Sequence, residues 1–269
     1  MAGRFPLVLP ETPRWFINVT FMLVIVYGVM LGIEVIGWTG ELLFVRISLV
    51  IGLIFILLIN KMDFSNMKPI LADGWWQPVK GLFPISGFPL AEYSYLMMLF
   101  PLVRPEDRKK LKRAMWISSA AIGLMGLFIA VMLLTVLGAE LTMHSPFAVY
   151  DMEKQISVGD VLERVEISVA VIWISTIFSK MILCFYVVNV ASAQLLRFST
   201  YRPMVLPMAS IVIPMSFIVF RNSAQLTNFA SKVWPVFSVF QGLVLPLILL
   251  LVAAVRGISD NSVPKGGSR

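Results

Sequence analysis

Charge is scarce in this sequence. Only 14% of its residues are Asp, Glu, Lys or Arg, whereas a soluble domain carries about a quarter, so a water-facing surface cannot be assembled from it. Cysteine is almost absent: Cys184 stands by itself inside an apolar run, which excludes a disulfide framework and any Cys/His metal spacing. His144 is the single histidine and has no partner in sequence for a metal or pH role; it reads as an exposed loop residue. There is no phosphate loop, no zinc-binding helix motif and no nucleophile elbow, so nothing points to an enzyme, a metal or a cofactor. Period-2 alternation in short pieces is missing too, which argues against an outer-membrane barrel. The opening residues, Met1 to Pro6, lack the charged, apolar and small-residue order of a cleavable signal.

What is present is apolar length. The chain is 58% hydrophobic with a mean hydropathy of +0.87, and several uncharged runs reach ~18 residues or more, the length a ~30 Å hydrocarbon core demands of a spanning helix. The fold class is therefore all-α, a polytopic transmembrane helical bundle. Spans are expected at 15–38, 41–60, 82–103, 114–138, 165–196, 204–220 and 233–256. Together they form one transmembrane domain over 1–258. A disordered tail follows at 259–269, where Pro264, Gly266 and Gly267 accumulate.

The formal charge is +7 with a pI near 9.7, yet the basic residues sit mostly between spans, as membrane orientation rather than nucleic-acid binding requires. Arg104, Arg108, Lys109, Lys110, Lys112 and Arg113 face only Glu106 and Asp107 in one connector, which the positive-inside rule places in the cytoplasm. Alternation then puts 139–164 outside, and Arg197, Arg202 and the C-terminus inside. It also puts the N-terminus outside with Arg4 and Arg14 and without a signal, so the sequence is expected to lack earlier spans. The connector 61–81 contains Trp75 and Trp76, which suit the headgroup level of the lipid bilayer.

Ionisable groups at mid-membrane cost roughly 2.5–3.5 kcal/mol each. Those within the expected spans are Glu34, Arg46, Glu92, Glu166 and Lys180. Glu34 and Arg46 flank a short connector and are expected to meet, either as a structural ion pair or as a gating latch. Phe83-Pro84-Ile85-Ser86-Gly87-Phe88-Pro89 interrupts the third span and reads as a broken helix. Unwound backbone at that depth survives only around protein or a cavity, and the N–H groups of the second half attract an anion. The competing reading is that Pro89 merely starts a helix. Glu92 would then meet a substrate ammonium or a neighbouring helix. Glu166, Trp173 and Lys180 recur at heptad spacing with Ile177 and Cys184, on a face expected to look into the bundle. Glu166 and Lys180 stand roughly 20 Å apart at 1.5 Å per residue, too far to pair; Lys180 either snorkels to headgroups or serves as a fixed coupling cation. Gly28 and Gly32 form a small-xxx-small pair that predicts close helix packing.

Several segments in order resemble one family. They are Leu9-Pro10-Glu11-Thr12-Pro13, Gly32-Ile33-Glu34, Lys68-Pro69-Ile70-Leu71-Ala72-Asp73-Gly74, the stretch from Pro84 to Tyr93, and Gly159-Asp160-Val161-Leu162-Glu163-Arg164-Val165-Glu166 leading to Trp173. Together they resemble the endospore germination permease family, the B-type subunit of spore germinant receptors, within the amino acid-polyamine-organocation transporter superfamily. The resemblance implies a ten-span bundle of two inverted five-helix repeats, with the first and sixth helices unwound around the ligand. The seven spans would be the fourth to the tenth, and Gly87 would lie in the unwound part of the sixth. It further implies a spore inner-membrane protein that binds a small nutrient, such as an amino acid, and acts with A-type and C-type receptor subunits. Ser86, Gly87, Phe88, Pro89 and Glu92 would contact the ligand; Glu34, Arg46, Glu166, Trp173 and Lys180 would serve gating or coupling. Two alternatives stand beside this: an ion-coupled secondary amino-acid transporter, and an inactive truncated remnant.

Overall fold

The structure, a computed structural model, describes residues 13–68, 74–100, 103–145, 148–153, 162–220 and 222–257. The helices, in chain order, are α1 (Arg14–Leu31), α2 (Ile33–Leu58), α3 (Trp76–Met97), α4 (Arg108–Val136), α5 (Gly138–His144), α6 (Ala148–Glu153), α7 (Leu162–Leu195), α8 (Arg202–Ile218), α9 (Ser223–Asn228), α10 (Trp234–Val239) and α11 (Leu245–Val255). Short 3-10 turns occupy Ile59–Lys61, Phe64–Met67 and Pro105–Asp107. Two π turns, Phe229–Val233 and Phe240–Val244, join α9, α10 and α11 into one continuous helical run. No strand occurs among the described residues.

Each of the seven expected spans lies mostly within helix, although the first, 15–38, runs across the break at Gly32 from α1 into α2. The segments Ile33–Lys61, Pro105–Val136, Val171–Leu195 and Ala224–Val255 are long and apolar enough to cross a bilayer, while Trp15–Leu31 and Arg202–Ile218 are shorter apolar helices. Their surfaces are apolar as well: Phe44 is 71% exposed and Leu124 72%, an arrangement suited to hydrocarbon, where helices keep every backbone bond internal. The protein is an all-α membrane helical bundle.

One boundary differs from expectation. The first two spans do not divide near 39–40 but at Gly32, which separates α1 from α2 without any connector. Its backbone, φ 104° and ψ 173°, lies in a region essentially confined to glycine. The Val29 carbonyl accepts from the Gly32 N–H at 3.2 Å and from the Tyr201 hydroxyl at 3.2 Å, closing the last turn of α1. Hydropathy does not register this break because apolar residues continue on both sides of it.

The described chain divides into two compact units. One gathers the described residues of Arg4–Ala72 and Val103–Ile218. Within it, α1 packs against α7 and α8. Met22, Ile25 and Val29 of α1, Ile182, Phe185, Tyr186, Asn189 and Ala193 of α7, and Val205 and Ala209 of α8 are buried. Because lipid is as apolar as these side chains, close contact rather than transfer from water holds such helices together. At Gly28 the helices pack tightly enough that a Cβ would collide with Ile182 Cδ1. A second cluster joins Ile54 and Leu58 of α2 to Met132 of α4, Leu137 and Met152, with the Phe55 and Phe128 rings 4.1 Å apart. The Phe64–Met67 turn hooks onto the end of α4. There the Thr135 carbonyl accepts from the Asp63 N–H at 3.1 Å and from Asn66 Nδ2 at 3.0 Å.

The other unit gathers the described residues of Asp73–Leu102 and Val219–Arg269. It consists of α3 packed on the helical run from Ser223 to Val255.

Candidate functional site

The expected break in the third span is not there. α3 runs without interruption from Trp76 to Met97, through Pro84, Gly87 and Pro89. Each proline removes one backbone donor but leaves the flanking rungs in place, and membrane helices tolerate that loss. The free turn of N–H groups that would have held an anion is therefore spent inside the helix. The side chains of Ser86, Phe88, Pro89 and Glu92 lie outside the described residues, although their backbone is helical.

Gly87 is buried where α3 crosses α10. A Cβ there would stand 3.1 Å from Pro235 Cα, 3.2 Å from Trp234 Cδ1 and 3.4 Å from Pro235 N, so glycine is what permits the approach. α10 is held between the two π turns. In each of them an N–H reaches back five residues: Trp234 to the Phe229 carbonyl and Leu245 to the Phe240 carbonyl. Each is followed at once by a proline, Pro235 or Pro246. A proline ring clashes with the carbonyl four residues earlier, here Ser231 and Gly242, and widening the preceding turn makes room for it. Such π turns concentrate at functional sites. Their signal is legible as Phe229-Ala230-Ser231-Lys232-Val233-Trp234-Pro235 and its echo Phe240-Gln241-Gly242-Leu243-Val244-Leu245-Pro246, a pattern that hydropathy reading passes over.

Polar atoms single out the same place. Among the described residues, Trp234 Nε1, Ser238 Oγ and Asn189 Oδ1 are buried without a hydrogen-bond partner. Asn189 is half served, since its Nδ2 donates to the Phe185 carbonyl at 2.7 Å. Trp234 Nε1 and Ser238 Oγ have no partner at all, a cost of about 1–3 kcal/mol each. They stand one turn apart on α10, on the side of the helix that carries fully buried Pro235. Trp234 also lines an open apolar hollow of about 170 Å³ with Phe220, Leu226, Phe229 and Ala230. The Phe220 and Phe229 rings are 5.3 Å apart, and Phe229 and Trp234 are 6.3 Å apart.

The other expected site residues belong to the other compact unit. Glu34 and Arg46 do not form an ion pair, because both belong to α2, roughly 18 Å apart at 1.5 Å per residue; both are exposed. With the break at Gly32, Glu34 instead falls in the first turn of α2, where the helix dipole favours an acid. On α7 the packed stripe is Ile182, Phe185, Tyr186, Asn189 and Ala193, whereas Trp173, Ile177 and Lys180 are exposed and Cys184 is half-buried. Apolar residues at three- and four-residue spacing, not the heptad of Glu166, Trp173 and Lys180, decide which face packs. The Glu166 side chain lies outside the described residues. His144 ends α5, exposed, its Nδ1 donating to the Glu140 carbonyl at 2.9 Å. No group of three or more metal-ligating side chains occurs among the described residues.

A sequence profile for the family described as "Spore germination protein" matches residues 6–226. The chain belongs to the spore germination protein family. It is 29% identical over 248 residues to spore germination protein KB of Bacillus subtilis (strain 168), covering 90% of this chain and 66% of that one. It is 23% identical over 191 residues to spore germination protein YndE of the same organism, covering 70% and 52%. Spore germination protein XB of Bacillus anthracis is 22% identical over 186 residues, covering 68% and 51%. The chain thus spans between half and two thirds of these relatives. No solved structure matches it. The family match ends before α10 begins, so the π turns and their two unpaired groups lie beyond it.

Proposed function

We propose that the chain is a permease-like, germinant-sensing subunit of a spore germination receptor, which binds a small nutrient such as an amino acid within the membrane. The family match over most of the chain carries this reading. The ligand region is α3 around Gly87, where the helix backbone is pressed against its neighbour. Ser86, Phe88 and Pro89 adjoin it, and Glu92 supplies a polar contact one turn further on. Sensing then works by a shift between helix arrangements that the ligand binds unequally. It passes to A-type and C-type partner subunits in the spore inner membrane, and the basic connector from Arg104 to Arg113 and the C-terminus face the cytoplasm.

Gly87→Leu tests the reading. Spores carrying the variant are expected to lose their response to amino-acid germinants while the protein still inserts in the membrane; an unchanged response removes α3 from the site. Accumulation of a labelled amino acid in proteoliposomes, driven by an ion gradient, would replace sensing by secondary transport.

A further inference from the structure

We propose that Trp234 and Ser238 of α10 are ligand-binding residues, whose indole N–H and hydroxyl take the carboxylate of an amino acid with an apolar side chain. The proposal rests on reading α3 around Gly87 as the ligand region, and adds its second wall.

A buried hydroxyl in a helix has an easy local partner, the carbonyl three or four residues back. Thr135, equally buried, uses it, donating to the Val131 carbonyl at 2.9 Å and lying 3.1 Å from that of Met132. Ser179 and Ser118 do the same at 2.9 and 2.8 Å. Ser238 does not, and neither its hydroxyl nor Trp234 Nε1 is served by anything else. An indole N–H only donates, and a serine hydroxyl also donates. The group that satisfies both is an acceptor oxygen, as in a carboxylate, and not an ammonium. An open hollow of about 170 Å³ is formed by Trp234 with Phe220, Leu226, Phe229 and Ala230; its lining is wholly apolar, which suits an apolar side chain and no charged one.

Access comes from the construction of α10. Its six residues lie between two π turns, each followed by a proline. In the proposed movement these turns exchange five-residue for four-residue bonds, and α10 moves off Gly87 as a unit. With α10 seated on Gly87 both polar groups go unserved, and with ligand bound both are used. That difference is the unequal affinity a ligand needs in order to shift a conformational equilibrium.

The test uses the full chain in lipid nanodiscs, with thermal unfolding followed by circular dichroism. The probes are L-leucine, L-leucinamide, L-aspartate and L-lysine. L-leucine is expected to raise the unfolding temperature, whereas the amide, lacking the carboxylate, and the two charged amino acids are not. Ser238→Ala is expected to leave the ligand-free chain as stable as wild type or more so. Ser238→Ala and Trp234→Phe are each expected to bind L-leucine tenfold or more weakly, roughly the worth of a hydrogen bond to a charged group. A loss of ligand-free stability in Ser238→Ala, leucine binding at wild-type strength in both variants, or no stabilisation of wild type by any of the amino acids overturns the proposal. Gly87→Leu separates the two readings: leucine binding retained there but lost in both α10 variants removes α3 and keeps Trp234 and Ser238.

Discussion

Among the described residues, two helix crossings depend on a glycine, and they are built differently. At Gly28, where α1 meets α7, the atom in the way of a Cβ is Ile182 Cδ1, the far end of a flexible side chain. At Gly87, where α3 meets α10, the obstacles are the Cα and N of Pro235 and the ring of Trp234. The first is ordinary packing that a neighbour can relax. The second is backbone on backbone, beside two buried polar groups with no partner. A contact of this kind cannot yield gradually, and in the arrangement described it leaves both polar groups unserved.

Alanine substitutions grade the difference, and the largest effect belongs to a third glycine that sets the α1–α2 break. Gly32→Ala forces a side chain into backbone reserved for glycine and is expected to cost up to about 3 kcal/mol, read as a lower unfolding temperature in detergent. Gly87→Ala is expected to cost up to about 2 kcal/mol, overpacking of about 1–3 kcal/mol less the roughly 1 kcal/mol that alanine contributes to a helix. In Gly28→Ala the same gain offsets a side-chain rotation, so stability should change by less than about 1 kcal/mol. Equal losses at Gly28 and Gly87 would erase the distinction between the two crossings.

Much of this was legible in the sequence, for a physical reason. Apolar length is a property of consecutive residues, so the expected spans fall largely on helices, four of them long and apolar enough to cross a bilayer. What depends on a single residue was harder to read. Gly32 ends a helix by its φ and not by its hydropathy. Pro84 and Pro89 each delete one donor, which bends or weakens a helix without obliging it to unwind, and so the broken-helix reading of α3 fails. On α7 the heptad of Glu166, Trp173 and Lys180 draws the eye by its chemistry, while packing is set by Ile182, Phe185 and Tyr186. Trp234 and Ser238 carry no motif of their own; they become conspicuous only when their hydrogen bonds are counted in three dimensions. The repeated Phe-to-Pro segments around them were readable, but as local strain rather than as a span.

The smallest expected effect lies at the opposite extreme from α10, in the connector after α2, where the polar groups are in use. The Asp63 carboxylate accepts the Ser65 N–H at 2.9 Å, and hydrogen bonds from the Ser65 backbone and side chain hold its pKa below the usual carboxylate value, against weak desolvation. A depressed folded pKa stabilises the folded state above the unfolded value and loses that contribution as pH falls through the folded one. Protection of the Ser65 amide against hydrogen exchange, corrected for intrinsic rate, should therefore be flat near neutrality and decline only in acid below the ordinary carboxylate range. Asp63→Asn retains an acceptor without a titrating group and should remove the acid decline while keeping the protection. Asp63→Ala should lose the protection at every pH. An acid decline that persists in Asp63→Asn would show that the connector is held by some other carboxylate, and that its polar groups are less self-sufficient than the contrast with Trp234 and Ser238 requires.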